Sequence, residues 1–202
     1  EGGILGSVVP ALTGRVLGAL RLLCSARFLT VGPGLKSGIK LRLDNPAQLG
    51  AELLCGAVAA LEEGPGPLAV ISADTAISIM AVNGKQELVG GVILPGPQLS
   101  LSALVQKTAQ LPQIDLSAPA SSSILGKNTS ACLQNGFVLG TAGLLDGLAE
   151  RFQAELSPEI RFYATGNLPR TIREVCRTPI EYREYLITDG LYRIWQRNRK
   201  GS

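Results

Sequence analysis

Hydrophobic positions along this chain switch repeatedly between short solid runs and three- or four-residue spacing, the pattern of alternating strands and helices. Ile4 to Val9 is an apolar run that Pro10 ends, and it predicts a buried strand. Leu12, Val16, Leu17, Leu20 and Leu23 recur at helical spacing, so 11–24 reads as an amphipathic helix with Thr13 near its start. Phe28 to Val31 predicts a second short strand closed by Gly32-Pro33-Gly34, and 36–44 reads as a loop. Asn45-Pro46 predicts a helix start, with Asn as cap and Pro where a missing N–H does no harm. Leu49, Leu53, Leu54, Ala57, Val58 and Leu61 give that helix its apolar face, and Gly64-Pro65-Gly66-Pro67 ends it.

The chain is organised around 68–96. An apolar run from Leu68 to Ile71 enters a small-residue turn at 72–75. Ile77, Ile79 and Val82 lead to Asn83-Gly84, the sequence of a two-residue hairpin turn, and a third run climbs from Leu88 through Gly90-Gly91 to Pro95-Gly96. The expectation is a three-strand meander. Further on, Leu99 to Val105 predicts a short helix, and 111–123 a Pro- and Ser-rich loop. Asn128-Thr129 opens a long helix in which Leu133, Phe137, Gly140, Leu144, Leu148 and Phe152 recur. A strand over 160–164 and helices over 168–176 and 186–199 complete the order, with no internal repeat.

Composition narrows the chemistry. The 202 residues contain no histidine, which excludes Ser-His-Asp and Cys-His catalysis and any His-containing metal site. The four cysteines (Cys24, Cys55, Cys132, Cys176) are widely spaced without a Cys-x-x-Cys pair and read as buried thiols of a reducing, cytoplasmic compartment. Net charge is only +3, and Arg193, Arg197, Arg199 and Lys200 read as a solvated helix end, so nucleic acid is not an expected partner. Pro10, Arg15 and Arg21 interrupt the apolar stretch 4–23, which therefore reads as neither a membrane span nor a signal peptide.

The motifs form an ordered series. Ser7-Val8-Val9-Pro10, Val31-Gly32-Pro33-Gly34, Asp44-Asn45-Pro46 and Gly50-Ala51 are followed by the hairpin with Gly90-Gly91 and Pro95-Gly96. Then come Leu111-Pro112, Gly126-Lys127-Asn128-Thr129 and Ala164-Thr165-Gly166. Each is weak alone; in this order and spacing, over nearly the whole chain, they resemble type III pantothenate kinase. The resemblance implies an α/β, actin-like (ribonuclease H-like) ATPase fold of two related lobes. On this reading 1–66 is the remainder of the N-terminal lobe with a connecting helix, and 67–202 is the C-terminal lobe. It further implies ATP, Mg2+ and a monovalent cation (K+ or NH4+) as cofactors, pantothenate as substrate, and a homodimer.

By the same resemblance Glu52 stands at the general-base position and Gly50, Ala51 and Thr129 on the substrate side. Thr75, Gly90, Gly91, Gly96 and Gly166 fall on the nucleotide side. Asp74 stands where the family has glycine, and two readings stay open: its carboxylate repels a phosphate there, or it serves as a displaced metal ligand. The chain departs from the family pattern in several places. An Asp-x-Gly-Asn-Thr phosphate loop would lie before residue 1. The family's Gly-Ala-Asp-Arg is Gly50-Ala51-Glu52-Leu53, its Asp-Phe-Gly-Thr-Ala is Ser72-Ala73-Asp74-Thr75-Ala76, and its Thr-Gly-Gly is Thr165-Gly166-Asn167. Three readings stay open: a pantothenate kinase, a weak or non-catalytic relative paired with an intact paralogue, and a binding module with a changed ligand. The departures predict poor ATP binding by the chain alone, and the broad apolar pattern after Thr129 predicts a dimer built on that helix. A kinase cleft requires Glu52 and Thr75 to face one shared cavity.

Overall fold

A computed structural model describes residues 2–120 and 123–199. Lys200 of the basic cluster, and 121–122 of the Pro- and Ser-rich loop, lie outside the described residues. The chain begins with a βαβ unit: β1 (Gly2–Leu5), α1 (Pro10–Leu23) and β2 (Arg27–Thr30), the two strands parallel. The first strand is earlier and shorter than the apolar run predicts, because Gly6 to Val9 leave it before Pro10 opens the helix.

The second sheet has six strands in the order β3-β6-β5-β4-β7-β8. Its centre is the expected meander, β4 (Leu68–Ala73), β5 (Ala76–Val82) and β6 (Glu87–Pro95), each antiparallel to the next. β7 (Arg161–Gly166) adds parallel to β4, and β8 (Ile180–Tyr182) parallel to β7. A three-strand meander extended by two parallel crossover strands on the side of its first member is the ribonuclease H-like arrangement. Every residue of β4 is buried, so its apolar run is solid rather than alternating. At the far edge, the two-residue β3 (Lys40–Leu41) pairs with β6 inside the segment read as a loop.

Helices cover both faces of this sheet. On one face α2 (Ala51–Glu62) and α6 (Leu186–Asn198) pack on Leu68, Val70, Met80, Val82 and Tyr163. On the other, α4 (Thr129–Glu155) and α5 (Arg170–Arg173) pack on Ala69, Ile71, Ile77, Ile79 and Phe162. Successive β4 residues thus feed alternate cores. α3 (Pro97–Gln106) leads from β6 towards α4. α6 also reaches back across the molecule. Asn198 accepts from the Lys36 backbone N–H at 3.0 Å and donates to the Lys36 carbonyl at 3.0 Å, while Arg197 donates to the Ser37 carbonyl and to Glu62.

Several boundaries differ from expectation for local reasons. Asn45 does cap, accepting from the Ala47 N–H at 3.2 Å, but it starts only a 3-10 turn over Pro46–Gln48; Leu49 and Gly50 are extended, and the α-helix begins at Ala51. The Asn83-Gly84 turn spans four residues instead of two. The Asn83 side chain accepts from the Lys85 and Glu87 N–H groups, and Gln86 takes the left-handed conformation at φ 59°. In α4 the buried stripe is Asn135, Val138, Ala142, Leu145, Asp146 and Ala149, while Gly140 and Leu144 of the predicted face are exposed. The predicted helix at 168–176 is the short α5 alone. Cys55 is buried, but Cys24 and Cys132 are exposed, against the expectation of four buried thiols; all four are free.

Candidate functional site

The turn between β4 and β5 gathers the first set of expected residues. Asp74 and Thr75 form its tip, at the carboxyl end of β4, where loops of α/β sheets present ligands. Gly96 donates its N–H to the Thr75 carbonyl at 2.9 Å, so the end of β6 is pinned beneath the turn. Gly166, ending β7, has φ +82° and lies where a Cβ would strike the Ala73 carbonyl, so only glycine fits there. These four residues therefore converge. Asp74, Thr75, Gln98, Ser102 and Asn167 line a cavity of about 410 Å³ at this end.

The substrate-side residues gather elsewhere. Gly50 is the N-cap of α2 and Ala51 its first residue; both line a cavity of about 850 Å³ walled by the Gly32-Pro33-Gly34 loop and the 45–49 turn. Glu52 follows in the first turn of α2, exposed, where the helix dipole favours a carboxylate. It lines a smaller adjoining pocket of about 190 Å³, which shares Ser7, Val8 and Ala51 with the large cavity. Leu53 turns the other way, into the core beneath the helix.

Other expected residues stay outside both groups. Gly90 and Gly91 lie inside β6, opposite Ala81 and Met80, roughly 13 Å along the strand from Pro95. Their glycine character has a structural cause: Gly90 has φ +144° beside the β5 irregularity, and a Cβ on Gly91 would collide with the Ile79 carbonyl. Thr129 is the exposed first residue of α4, behind the Asn128 cap that accepts from the Ala131 N–H at 2.9 Å, and lines none of these three cavities. Nor do Glu52 and Thr75 line a common cavity among those described.

The structure adds links that the sequence pattern does not show, one of them through Asn167, named above only as a departure from the family's Thr-Gly-Gly. Asn167 donates its amide to the Asp74 carboxylate at 2.9 Å, clasping the β4–β5 turn to the end of β7. Tyr182 donates its hydroxyl to the Gly166 carbonyl at 2.8 Å, and the Arg173 guanidinium sits 3.9 Å from the centre of the Tyr182 ring. Neither link shows in the spacing, because Tyr182 belongs to a strand too short to predict. On the back of α4, Asp146 is buried and accepts from the backbone N–H groups of Arg177 and Thr178 at 2.9–3.0 Å. Burial pushes its pKa up, but those donors outweigh it and hold the carboxyl below its ordinary range.

The donor set bears on which cofactors fit. Among the described residues no cluster of three or more His, Cys, Asp or Glu side chains is present. The turn cavity offers the Asp74 carboxylate, the Thr75 and Ser102 hydroxyls and two amides, but no Lys or Arg. Such a set suits a hydrated Mg2+ carried on a nucleotide, which needs only one or two protein carboxylates. A bare phosphate fits poorly beside Asp74.

The family model for type III pantothenate kinase matches residues 1–151. The type III pantothenate kinase of Koribacter versatilis is 37% identical over 206 residues, covering 100% of this chain and 73% of that protein. That of Pelobacter propionicus is 36% identical, covering 98% of this chain and 78% of its own length.

The chain belongs to the type III pantothenate kinase family.

Among solved structures, a conserved protein of the Baf family from Campylobacter jejuni superposes with a TM-score of 0.63 at 17% identity, covering 98% of this chain and 84% of that one. It supports the fold alone. The strand order of the second sheet is that of an actin-like ATPase lobe, as family membership requires. No helix among the described residues is long and apolar enough to cross a membrane.

Proposed function

We propose that this chain is a pantothenate kinase-like protein whose transfer activity is reduced or lost. The observation that carries the reading is identity of 36–37% to type III pantothenate kinases along the whole chain. In this reading 67–202 is the C-terminal lobe and 1–66 the remainder of the first, with α2 as the connection. Pantothenate lies in the large cavity against Gly50 and Ala51. ATP with Mg2+ lies at the β4–β5 turn, where Asp74 and Thr75 meet the metal-bound phosphates and Gly96 and Gly166 keep the backbone clear. A monovalent cation and a cytoplasmic homodimer complete the proposal.

The chemistry asks a substrate hydroxyl to attack the terminal phosphorus of ATP. The new oxygen–phosphorus bond forms as the bond to the bridging oxygen of ADP breaks, and Glu52 takes the hydroxyl proton. Reacting groups must come within about 3–3.5 Å. Here Glu52 and Thr75 line separate cavities, and the Asp74–Asn167 clasp occupies the phosphate side. Those observations favour reduced activity and support a second reading, a non-catalytic partner of an intact paralogue.

An assay for ADP release with pantothenate, ATP, Mg2+ and K+ tests the first reading. Glu52→Gln is expected to lower any observed turnover by about 10²–10⁴-fold with pantothenate affinity unchanged. An unchanged rate removes Glu52 from the chemistry. Absence of turnover by this chain alone, with ADP release by an added intact paralogue rising above that of the paralogue by itself, selects the second reading.

A further inference from the structure

The cavity of about 850 Å³ beside Gly50 and Ala51 has an unusual lining for a site meant to hold an organic acid. None of the described residues that line it is Asp, Glu, Lys or Arg. Its walls are aliphatic, from Val31, Leu35, Ile39, Leu41, Leu49 and Leu54. Its polar side chains are hydroxyls and amides. Asn45 spends its carbonyl oxygen on the Ala47 N–H, which leaves its amide N–H groups for a ligand, and the exposed Gln48 also lines the cavity.

The cations nearby lie outside the lining or are committed. Lys36 and Lys40 are exposed and do not line the cavity, Arg42 is paired with Glu87 at 3.0 Å, and Arg197 is paired with Glu62 at 2.9 Å. Leu53, next to Gly50 and Ala51 in sequence, is packed into the core and donates nothing. An ionised carboxylate moved into such a space loses its hydration without gaining a charged partner, whereas an amide or hydroxyl finds matching groups.

Resting on the placement of substrate at Gly50 and Ala51, we infer that this site selects an uncharged member of the substrate class. The ligand is a pantoyl amide whose far end is an alcohol or a further amide, instead of the free acid. The cavity's volume lies within the size range of ligand clefts.

Calorimetry on the purified chain with three probes tests this: pantothenate, the alcohol in which its carboxylate is replaced by a primary alcohol, and an N-alkyl amide of pantothenate. The alcohol and the amide are expected to bind at least about tenfold more tightly than pantothenate. Gln48→Arg, a change at an exposed lining position, is expected to shift the preference back towards pantothenate by about tenfold or more. Equal or tighter binding of pantothenate by the unaltered chain overturns the inference and leaves the kinase reading standing. Failure of all three probes to bind overturns both.

Discussion

Two parts of this molecule carry the same kind of amphipathic sequence and meet opposite fates. In the six-stranded sheet both faces are covered, and Leu68, Ala69, Ile77, Val82 and Leu88 have no exposed surface at all. In the β1-α1-β2 unit, Leu12, Val16, Leu22 and Leu23 remain 40–90% exposed on a helix of equally clear periodicity. Periodicity reports that a face wants covering; it does not report that cover is present. The central sandwich therefore has the burial that gives stability, and the amino-terminal unit does not.

The sharpest way to break this contrast is through its two cysteines. Burial pushes the Cys55 thiol in α2 up to about 12, while Cys24 just after α1 is exposed. Alkylation of the native protein near pH 8 is expected to label Cys24 at least about a thousandfold faster than Cys55, since the thiolate is the nucleophile. Comparable rates, followed by mass spectrometry, would put α2 outside a stable core. Leu68→Ala in the centre of the sandwich is expected to cost about 2–5 kcal/mol in denaturant unfolding. A loss under 1 kcal/mol there would mean that Leu68 is not part of a tightly packed core.

A smaller effect is expected at Asp146. Its folded pKa lies below the unfolded one, so its contribution is fully present above the ordinary carboxylate range and is lost as pH falls through the folded value. Asp146→Asn is therefore expected to lower stability by about 1.5–3 kcal/mol at neutral pH and to flatten the acid limb of the stability curve. An unchanged acid limb would show that the loop at 177–178 is held by something else. Smallest of all, Leu22→Ser in α1 is expected to change stability by no more than about 0.5 kcal/mol, the side chain being 90% exposed. A clear loss of stability would reveal a covered α1.

What the sequence makes legible follows from the range of the interactions. β4 to β6, α2 and α6 are announced by solid apolar runs and helical spacing, because local pattern and tertiary burial agree there. The α4 face is misread by about one position, since a run rich in Gly, Leu and Ala has apolar residues on every side. β3 and β8 are invisible because two or three residues carry no period; pairing with β6 and β7 makes them strands. Asp74, Thr75, Gly96 and Gly166 stand together because they cap neighbouring strand ends. The Asp74–Asn167 bond spans 93 positions, and no local pattern encodes it.

The reciprocal bonds between Asn198 and Lys36 join residues 162 positions apart and fix the rim of the large cavity from behind. During synthesis that stretch of the rim gains this anchor only after α6 has left the ribosome. A product truncated before Arg197 would keep its central sheet but leave the 36–37 side of the cavity mouth without these bonds.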